Sequence, residues 1–339
     1  MIRDHDDSER LVETIARANE QSNQVLIRGH GSKRFLTGDF VGNALQTQDH
    51  TGILSYEPEE LVVTVRSGTS LETVRNLLAS QNQMLPFDPP SFGGAGTVGG
   101  AIASGFSGPS RPWNGSLRDS LLGIEMVNGL GQRLKFGGQV MKNVAGFDLS
   151  RLMAGSFGTL GLILSASFKV IPKPRVEISF AADISPEDAS ACYRKILQLS
   201  NHVRGSYYDQ KRMYLLATDV EAMKSLDLPE FKPHSEIDRS FWNDIRDHKT
   251  EWFSNSEKVV RIVLPRGQQL PPALREHSVE EWHGTLAWYS GNQDLTELLP
   301  QTKITNFRGI SKRRSLPSIM IRLQNAFDPN GVFANHFVI

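Results

Sequence analysis

A single cysteine, Cys192, is all the thiol chemistry this chain contains. One thiol cannot close an internal disulfide, and it cannot hold an iron–sulfur cluster, which needs several thiolate ligands. Any such centre has to sit on a partner, and the thiol usage suits a reducing compartment. Charge of either sign is not in surplus: Lys plus Arg and Asp plus Glu both number 37. That balance argues against a broad nucleic-acid surface, which needs clustered positive charge. No run of about 18 apolar residues occurs, so no membrane-spanning segment is expected. The polar stretch Met1 to Ser8 lacks the apolar core of a secretory signal. The expected location is the cytoplasm, with peripheral attachment to the inner face of the cytoplasmic membrane through a partner left open. Two phosphate-binding signatures are missing as well. There is no G-x-G-x-x-G between an early strand and its helix with an acid about 20 residues on, and no G-x-x-x-x-G-K-[ST].

What the chain has in abundance is glycine in one place. Seven glycines fall between Gly93 and Gly108, among mostly small residues. Such a backbone can take positive φ and press its amides against a ligand, and it offers neither a nucleophile nor a metal cage. Two further glycine-bearing blocks, Arg28–Lys33 and Asn143–Ile163, flank it in sequence. Each alone is a weak signal. Together they suit a dinucleotide, which needs separate backbone surfaces for pyrophosphate, ribose and ring. Arg28 and Lys33 can add charge, while Ser32 and Thr97 can add hydroxyl hydrogen bonds.

At 339 residues two domains are expected. Leu11, Val12, Ile15 and Ala16 recur at helical spacing, and 24–28 and 61–65 read as buried strands. Thr69 and Glu72 form a capping-box pattern ahead of Val74, Leu77 and Leu78. Residues 121–136 read as a hairpin turning at Asn128-Gly129, and 165–171 as a strand ended by Pro172 and Pro174. Beyond that break glycine thins and four of the five tryptophans appear. Strand patterns at 213–216, 259–264 and 285–289 alternate with helical ones near 186–200 and 217–226, which suggests a smaller α+β domain with an antiparallel sheet. Ser315 to Phe327 carries an apolar helical stripe ended by Asp328-Pro-Asn-Gly331.

The motifs Arg28-Gly-His-Gly-Ser-Lys33, Pro89-Pro90 with Gly96-Thr-Val-Gly-Gly100, Lys142-Asn-Val-Ala-Gly-Phe-Asp-Leu149 and Gly155-Ser-Phe-Gly-Thr-Leu-Gly161 resemble the vanillyl-alcohol-oxidase, or PCMH-type, FAD-binding family. The resemblance covers residues 1–172 and recurs at Asp328 to Phe333. It implies an α+β fold: a two-subdomain FAD-binding domain over 1–172, an α+β cap over 173–305, and a C-terminal segment, 306–339, returning to the FAD domain. Within the family, Asn143 to Asp148 looks most like the FAD-binding subunits of glycolate-oxidising complexes. The resemblance then implies that Arg28, Gly29, His30, Gly31, Ser32 and Lys33 wrap the pyrophosphate from one side. Pro89, Gly96, Thr97, Val98, Gly99, Gly100, Ser104 and Gly105 would line the other side and the ribityl chain. Val144, Ala145, Gly146 and Asp148, with Gly158, Thr159, Gly161 and Ile163, would sit near the adenine and ribose.

There are departures from the family pattern. Ser32 stands where relatives that attach flavin covalently carry histidine, so non-covalent FAD is expected. Phe157 replaces the acid of Gly-Ser-Glu-Gly-Thr-Leu-Gly, and the His-rich C-terminal motif of the catalytic hydroxy-acid dehydrogenases is absent. The resemblance implies glycolate oxidation to glyoxylate in a complex with a second FAD-binding subunit and an iron–sulfur subunit. Two alternatives stand beside it. One is a stand-alone flavin oxidoreductase, including the reductase acting on enolpyruvyl-UDP-N-acetylglucosamine; the other is a non-catalytic assembly subunit. Arg261, His283 and Arg308 have chemistry suited to a hydroxy acid, but nothing in the sequence brings them together, and no catalytic residue or metal ligand is assigned. The tryptophans could line a substrate or quinone cavity but read more readily as core. Phe157 either packs on the isoalloxazine or adenine or, the favoured reading, fills the core. His30 is either a flavin contact or a solvent-facing turn residue. The cations Lys303, Arg308, Lys312, Arg313, Arg314 and Arg322 read as a surface attracting an acidic partner or a small carboxylate.

Overall fold

The computed structural model describes residues 4–36, 42–93, 96–138, 149–199, 202–224, 231–234, 236–300, 302–309 and 317–334. The chain divides into two compact units. Met1–Ser107, Ser116–Lys173 and Arg313–Phe337 make the first, while Gly108–Gly115 and Pro174–Lys312 make the bulk of the second.

In the first unit, helix α1 (Ser8–Glu20) buries Leu11, Ile15 and Ala18, a spacing that puts them on one face. Strand β1 (Val25–Arg28) pairs in parallel with β2 (Asn43–Gln46). The remaining strands are β3 (Ile53–Glu57), β4 (Val62–Arg66), β5 (Gln83–Met84), β6 (Leu121–Val127), β7 (Arg133–Gly137), β8 (Leu162–Lys169) and β9 (Ile171–Pro172). Five of them form an antiparallel sheet in the order β3-β4-β8-β6-β7, and β5 pairs with β9. In β8 every residue from Leu162 to Phe168 is buried, because both of its faces are covered. Ile163, Ala166 and Phe168 pack into the core under helices α2 (Leu71–Ala79) and α3 (Val98–Ser104). Leu162 and Leu164 join Leu11, Ile15 and Val25 in the core on the other side.

Local chemistry differs from the sequence reading at two points. Ser70, not Thr69, caps α2: its Oγ accepts the amide of Thr73 at 3.0 Å. The Thr69 hydroxyl is already committed, accepting from the Gly52 amide and donating to its carbonyl. The β6–β7 hairpin does turn at Asn128, but through a longer loop than an Asn-Gly pair. Asn128 Oδ1 accepts the amides of Leu130 and Gln132, and the left-handed residue is Gly131, at φ 75°. Gly129 is needed for another reason, since a Cβ there would lie 2.0 Å from the Asp328 carboxylate. That carboxylate accepts the amides of Val332 and Phe333 after helix Ser318–Phe327. It thereby turns the chain back to pair Val25 with Phe333.

The second unit is built on strands β10 (Ile178–Asp183), β11 (Val203–Tyr208), β12 (Arg212–Ala217), β13 (Lys232–Pro233), β14 (Val259–Val263), β15 (Ser278–Glu281), β16 (Leu286–Tyr289) and β17 (Lys303–Arg308). They form one sheet in the order β13-β10-β12-β11-β15-β16-β14-β17, antiparallel at every pairing. Helices α4 (Pro186–Ile196) and α5 (Arg239–Arg246) pack with it through Cys192, Tyr193 and Ile196, and through Trp242 and Ile245. Gly108–Gly115 belongs here, although it continues the glycine pattern of the first unit. The Gly108 carbonyl accepts the indole N–H of Trp282, which is buried. Trp242 and Trp288 likewise bury their rings and donate their N–H groups to Ser179 and Glu281. These three tryptophans are core residues with satisfied polar edges. The fold as a whole is α+β.

Candidate functional site: a backbone cradle in the first unit

The first unit holds a cavity of about 850 Å³, its open mouth included. Its walls come from the turn after β1, the N-terminal half of α3, and the loop leading into β8. The β1 strand ends where Gly31 takes φ 76°, a conformation cheap only for glycine. This swings residues 29–33 across the cavity. The amides of Gly29, Gly31 and Ser32 donate to no other described residue. They form a row of N–H groups suited to an anion. A Cβ on Gly29 would lie 2.6 Å from Thr97 Oγ1, so glycine lets this row approach α3. Thr97 in turn fixes α3, its Oγ1 accepting the Gly100 amide at 3.2 Å.

Two observations at the walls point to a polar ligand. Ser67 Oγ lines the cavity, is buried, and has no hydrogen-bond partner among the described residues; a buried hydroxyl in that state carries a desolvation cost that a ligand atom can relieve. The cations Arg28, Lys33 and Arg34 also line it, and Lys33 Nζ stands 5.5 Å from the centre of the Phe92 ring. Phe157 lines the cavity and meets Phe106 edge to face at 6.2 Å, with Phe106 in turn meeting Phe92 at 6.2 Å. A site combining free amides, cations, an orphaned hydroxyl and ring edges fits a large, phosphate-bearing, aromatic cofactor. The residues present therefore fit FAD.

The residues named from sequence divide into three groups. Arg28, Gly29, His30, Gly31, Ser32 and Lys33 line the cavity, as do Thr97, Gly99, Gly100, Ser104, Gly158, Gly161 and Ile163. His30 is exposed at its lip. Pro89, Gly96, Val98, Gly105 and Thr159 serve the walls without lining them. The Pro89 carbonyl accepts from Arg75, and Val98 is buried in the core under the sheet. Gly96 packs against Leu71 and Ser91. Gly105 ends α3 at φ 64°, and Thr159 donates to the Ser156 carbonyl. Val144, Ala145, Gly146 and Asp148 lie outside the described residues, as do Lys312, Arg313 and Arg314.

Several lining residues escaped the sequence reading, among them Leu26, Thr47, Ser67, Ala103 and Phe157. Phe157 takes φ 52° and lines the cavity instead of filling the core. The three hydroxy-acid candidates of the second unit are not gathered into one site. Arg261 lies over the rings of Trp282 and Trp288, and the charge of Glu281 acts on it. Arg308 donates to the Phe253 carbonyl. The His283 amide donates to Ser206, while burial and Arg266 push its ring down to about 4.

Comparison with known proteins agrees with this geometry. The model of the FAD binding domain matches residues 5–137. The glycolate oxidase subunit GlcE of Escherichia coli is 38% identical over 299 residues, covering 88% of this chain and 85% of that protein. The glycolate oxidase subunit GlcD of Bacillus subtilis is 35% identical over 139 residues, which is 41% of this chain and 29% of that protein. A solved alkyldihydroxyacetonephosphate synthase shares the fold with a TM-score of 0.68 at 14% identity, covering 97% of this chain and 74% of the other. Among the described residues no helix is long and apolar enough to cross a membrane. With the cradle and these likenesses together, the chain belongs to the GlcE-like family of PCMH-type FAD-binding oxidoreductases, with FAD as its cofactor.

Proposed function

We propose that this chain is the FAD-binding subunit of a multi-subunit glycolate oxidase that converts glycolate to glyoxylate and passes the electrons to partner redox subunits. The observation that carries this reading is the 38% identity to GlcE along 88% of the chain, combined with a cradle whose polar groups suit FAD. When bound, FAD supplies the two-electron acceptor that oxidation of a hydroxy acid requires. The residues around it have plainer work. Arg28 and Lys33, with the amides of Gly29, Gly31 and Ser32, hold the pyrophosphate. Thr97, Gly99, Gly100 and Ser104 line the ribityl side. Gly158, Gly161 and Ile163 border the adenosine. Ser32, at the position where some relatives carry an attachment histidine, leaves the flavin non-covalent.

With one cysteine, buried at position 192, this chain supplies no thiolate set for an iron–sulfur cluster. The reading therefore assigns electron exit to an iron–sulfur subunit, beside a second FAD-binding subunit of the GlcD kind. The test is copurification of a tagged chain followed by glycolate-driven dye reduction. The expected result is two redox partners in the eluate and glycolate-dependent reduction only by the assembled complex. Flavin bleaching by NADPH in the isolated chain, with no response to glycolate in any assembly, would overturn it.

A further inference from the structure

The second unit contains a cavity of its own, about 710 Å³ with its mouth included. Its walls are one side of α4, the loop at 266–270 and the turn at 283–285. Three arginines line it: Arg194, Arg266 and Arg275. Arg194 and Arg266 are exposed at the rim. Arg275 is held in place, Nε donating to the Leu270 carbonyl and Nη2 to Gln269. Arg275 also pairs with Glu187, just outside the lining, at 3.6 Å, and the lining carboxyl, Glu280, faces the arginines from the sheet. It is buried, accepts from Gln210 at 3.0 Å, and burial pushes its pKa up, which weakens its charge. The lining is therefore net positive.

The cavity also holds buried polar atoms that no described residue satisfies with a well-formed hydrogen bond. The Tyr193 hydroxyl is buried against the Glu280 carboxyl, close enough to interact with it but without a well-formed hydrogen bond to any described residue. His283 Nδ1 is also buried, with no hydrogen-bond partner among the described residues. The backbone that presents His283 is strained: Trp282 and His283 take φ 53° and 48°, and Gly284 follows at 80°. Successive left-handed residues of this kind persist where surrounding structure holds them, and they gather at ligand sites. Here the Ser206 hydroxyl accepting the His283 amide does the holding. Gly284 allows the Tyr193 ring to pack directly on the turn, since a Cβ there would lie 2.7 Å from it. Arginines above and unsatisfied hydroxyl and imidazole groups below describe a ligand with two chemically different ends.

We propose that this cavity binds a small hydroxylated anion, with its carboxylate or phosphate on Arg194, Arg266 and Arg275 and its hydroxyl on Tyr193 and His283. An oxyanion is the natural partner of several guanidiniums. A ligand hydroxyl can both accept from Tyr193 and donate to His283 Nδ1. None of these residues belongs to the FAD cradle, so the two sites are separable by mutation.

The experiment is calorimetric titration of the FAD-loaded full chain with glycerate, glycerol 3-phosphate and uncharged glycerol. Saturable heat is expected from glycerate or from glycerol 3-phosphate, which tells the two headgroups apart, and none from glycerol. The double variant Arg194→Gln/Arg266→Gln should weaken binding about tenfold or more, with the flavin spectrum unchanged. Tyr193→Phe should weaken it about fivefold and leave unliganded stability nearly unchanged, because the hydroxyl it removes makes no well-formed hydrogen bond to a described residue. No saturable heat from either anion at millimolar concentration would overturn the proposal, as would wild-type affinity in both variants.

Discussion

Replacing Glu281 by glutamine should flatten the pH dependence of stability in the second unit. Glu281 closes β15, is buried, and accepts the indole N–H of Trp288 at 2.7 Å. Burial pushes its carboxyl from 4.5 up to about 7, against the opposing pull of Arg261. Because the folded value lies above the unfolded one, the folded state holds the proton more tightly. The associated stability is complete below about 4.5 and is lost as pH rises through about 7. At about 1.4 kcal/mol per pH unit, the move amounts to roughly 3 kcal/mol between pH 4.5 and 8. Glu281→Gln keeps an amide oxygen for Trp288 and removes the titration. The assay is equilibrium denaturation followed by tryptophan fluorescence at pH 5 and pH 8. All five tryptophans, Trp113, Trp242, Trp252, Trp282 and Trp288, lie in the second unit, so the signal reports that unit alone. The wild type should lose about 3 kcal/mol more than the variant across this range. Equal losses would refute the reasoning, because they would mean that Glu281 ionises at its ordinary value despite burial.

Three further outcomes concern the first unit and can be read from melting followed by circular dichroism. Ser70→Ala removes the acceptor for the Thr73 amide and should cost about 1 kcal/mol; an unchanged melt would mean that α2 is capped otherwise. Gly129→Ala drives a methyl into the Asp328 carboxylate and should destabilise by about 1–3 kcal/mol, whereas a wild-type melt would show that the turn yields freely. His50 is buried, bonded to the Asp7 amide and the Leu164 carbonyl, and burial pushes its pKa below 6.5. Its contribution is present above 6.5 and is lost as pH falls below that value. His50→Gln should lessen the acid sensitivity of the melt near pH 6, and equal sensitivity would contradict the assignment.

The features legible in the sequence were those that depend on short-range pattern. The turn after β1 was readable because Arg28-Gly-His-Gly-Ser-Lys33 combines strand end, backbone freedom and charge within six positions. The strands β4, β8, β14 and β16 announced themselves as apolar, β-branched or aromatic runs. The remainder depends on tertiary contact. Ser67 is one of many serines until the register of β4 against β8 and the approach of Gly99 to it bring its hydroxyl to the cavity. Thr69 looked like a helix cap because the pattern cannot show that Gly52 claims its hydroxyl. Phe157 read as filling because a left-handed φ at phenylalanine has no sequence signature. Gly108–Gly115 joins the second unit through contacts far away in sequence: the Gly108 carbonyl accepts from the Trp282 indole 174 positions on, Arg111 stacks on the Trp282 ring, and Trp113 meets His283.

The most direct test of the account concerns Gly100. This residue lies in α3 at the cavity wall, and a side chain there would point past Thr97 Oγ1 toward Lys33 Nζ, at 3.1 and 3.9 Å from its Cβ. Leucine suits the helix while occupying the space reserved for the cofactor. Titration of apoprotein with FAD, followed by flavin fluorescence, should give saturable one-to-one binding for the wild type and none for Gly100→Leu, with matching circular dichroism spectra. Wild-type FAD affinity in a correctly folded Gly100→Leu chain would mean that the flavin is held somewhere else.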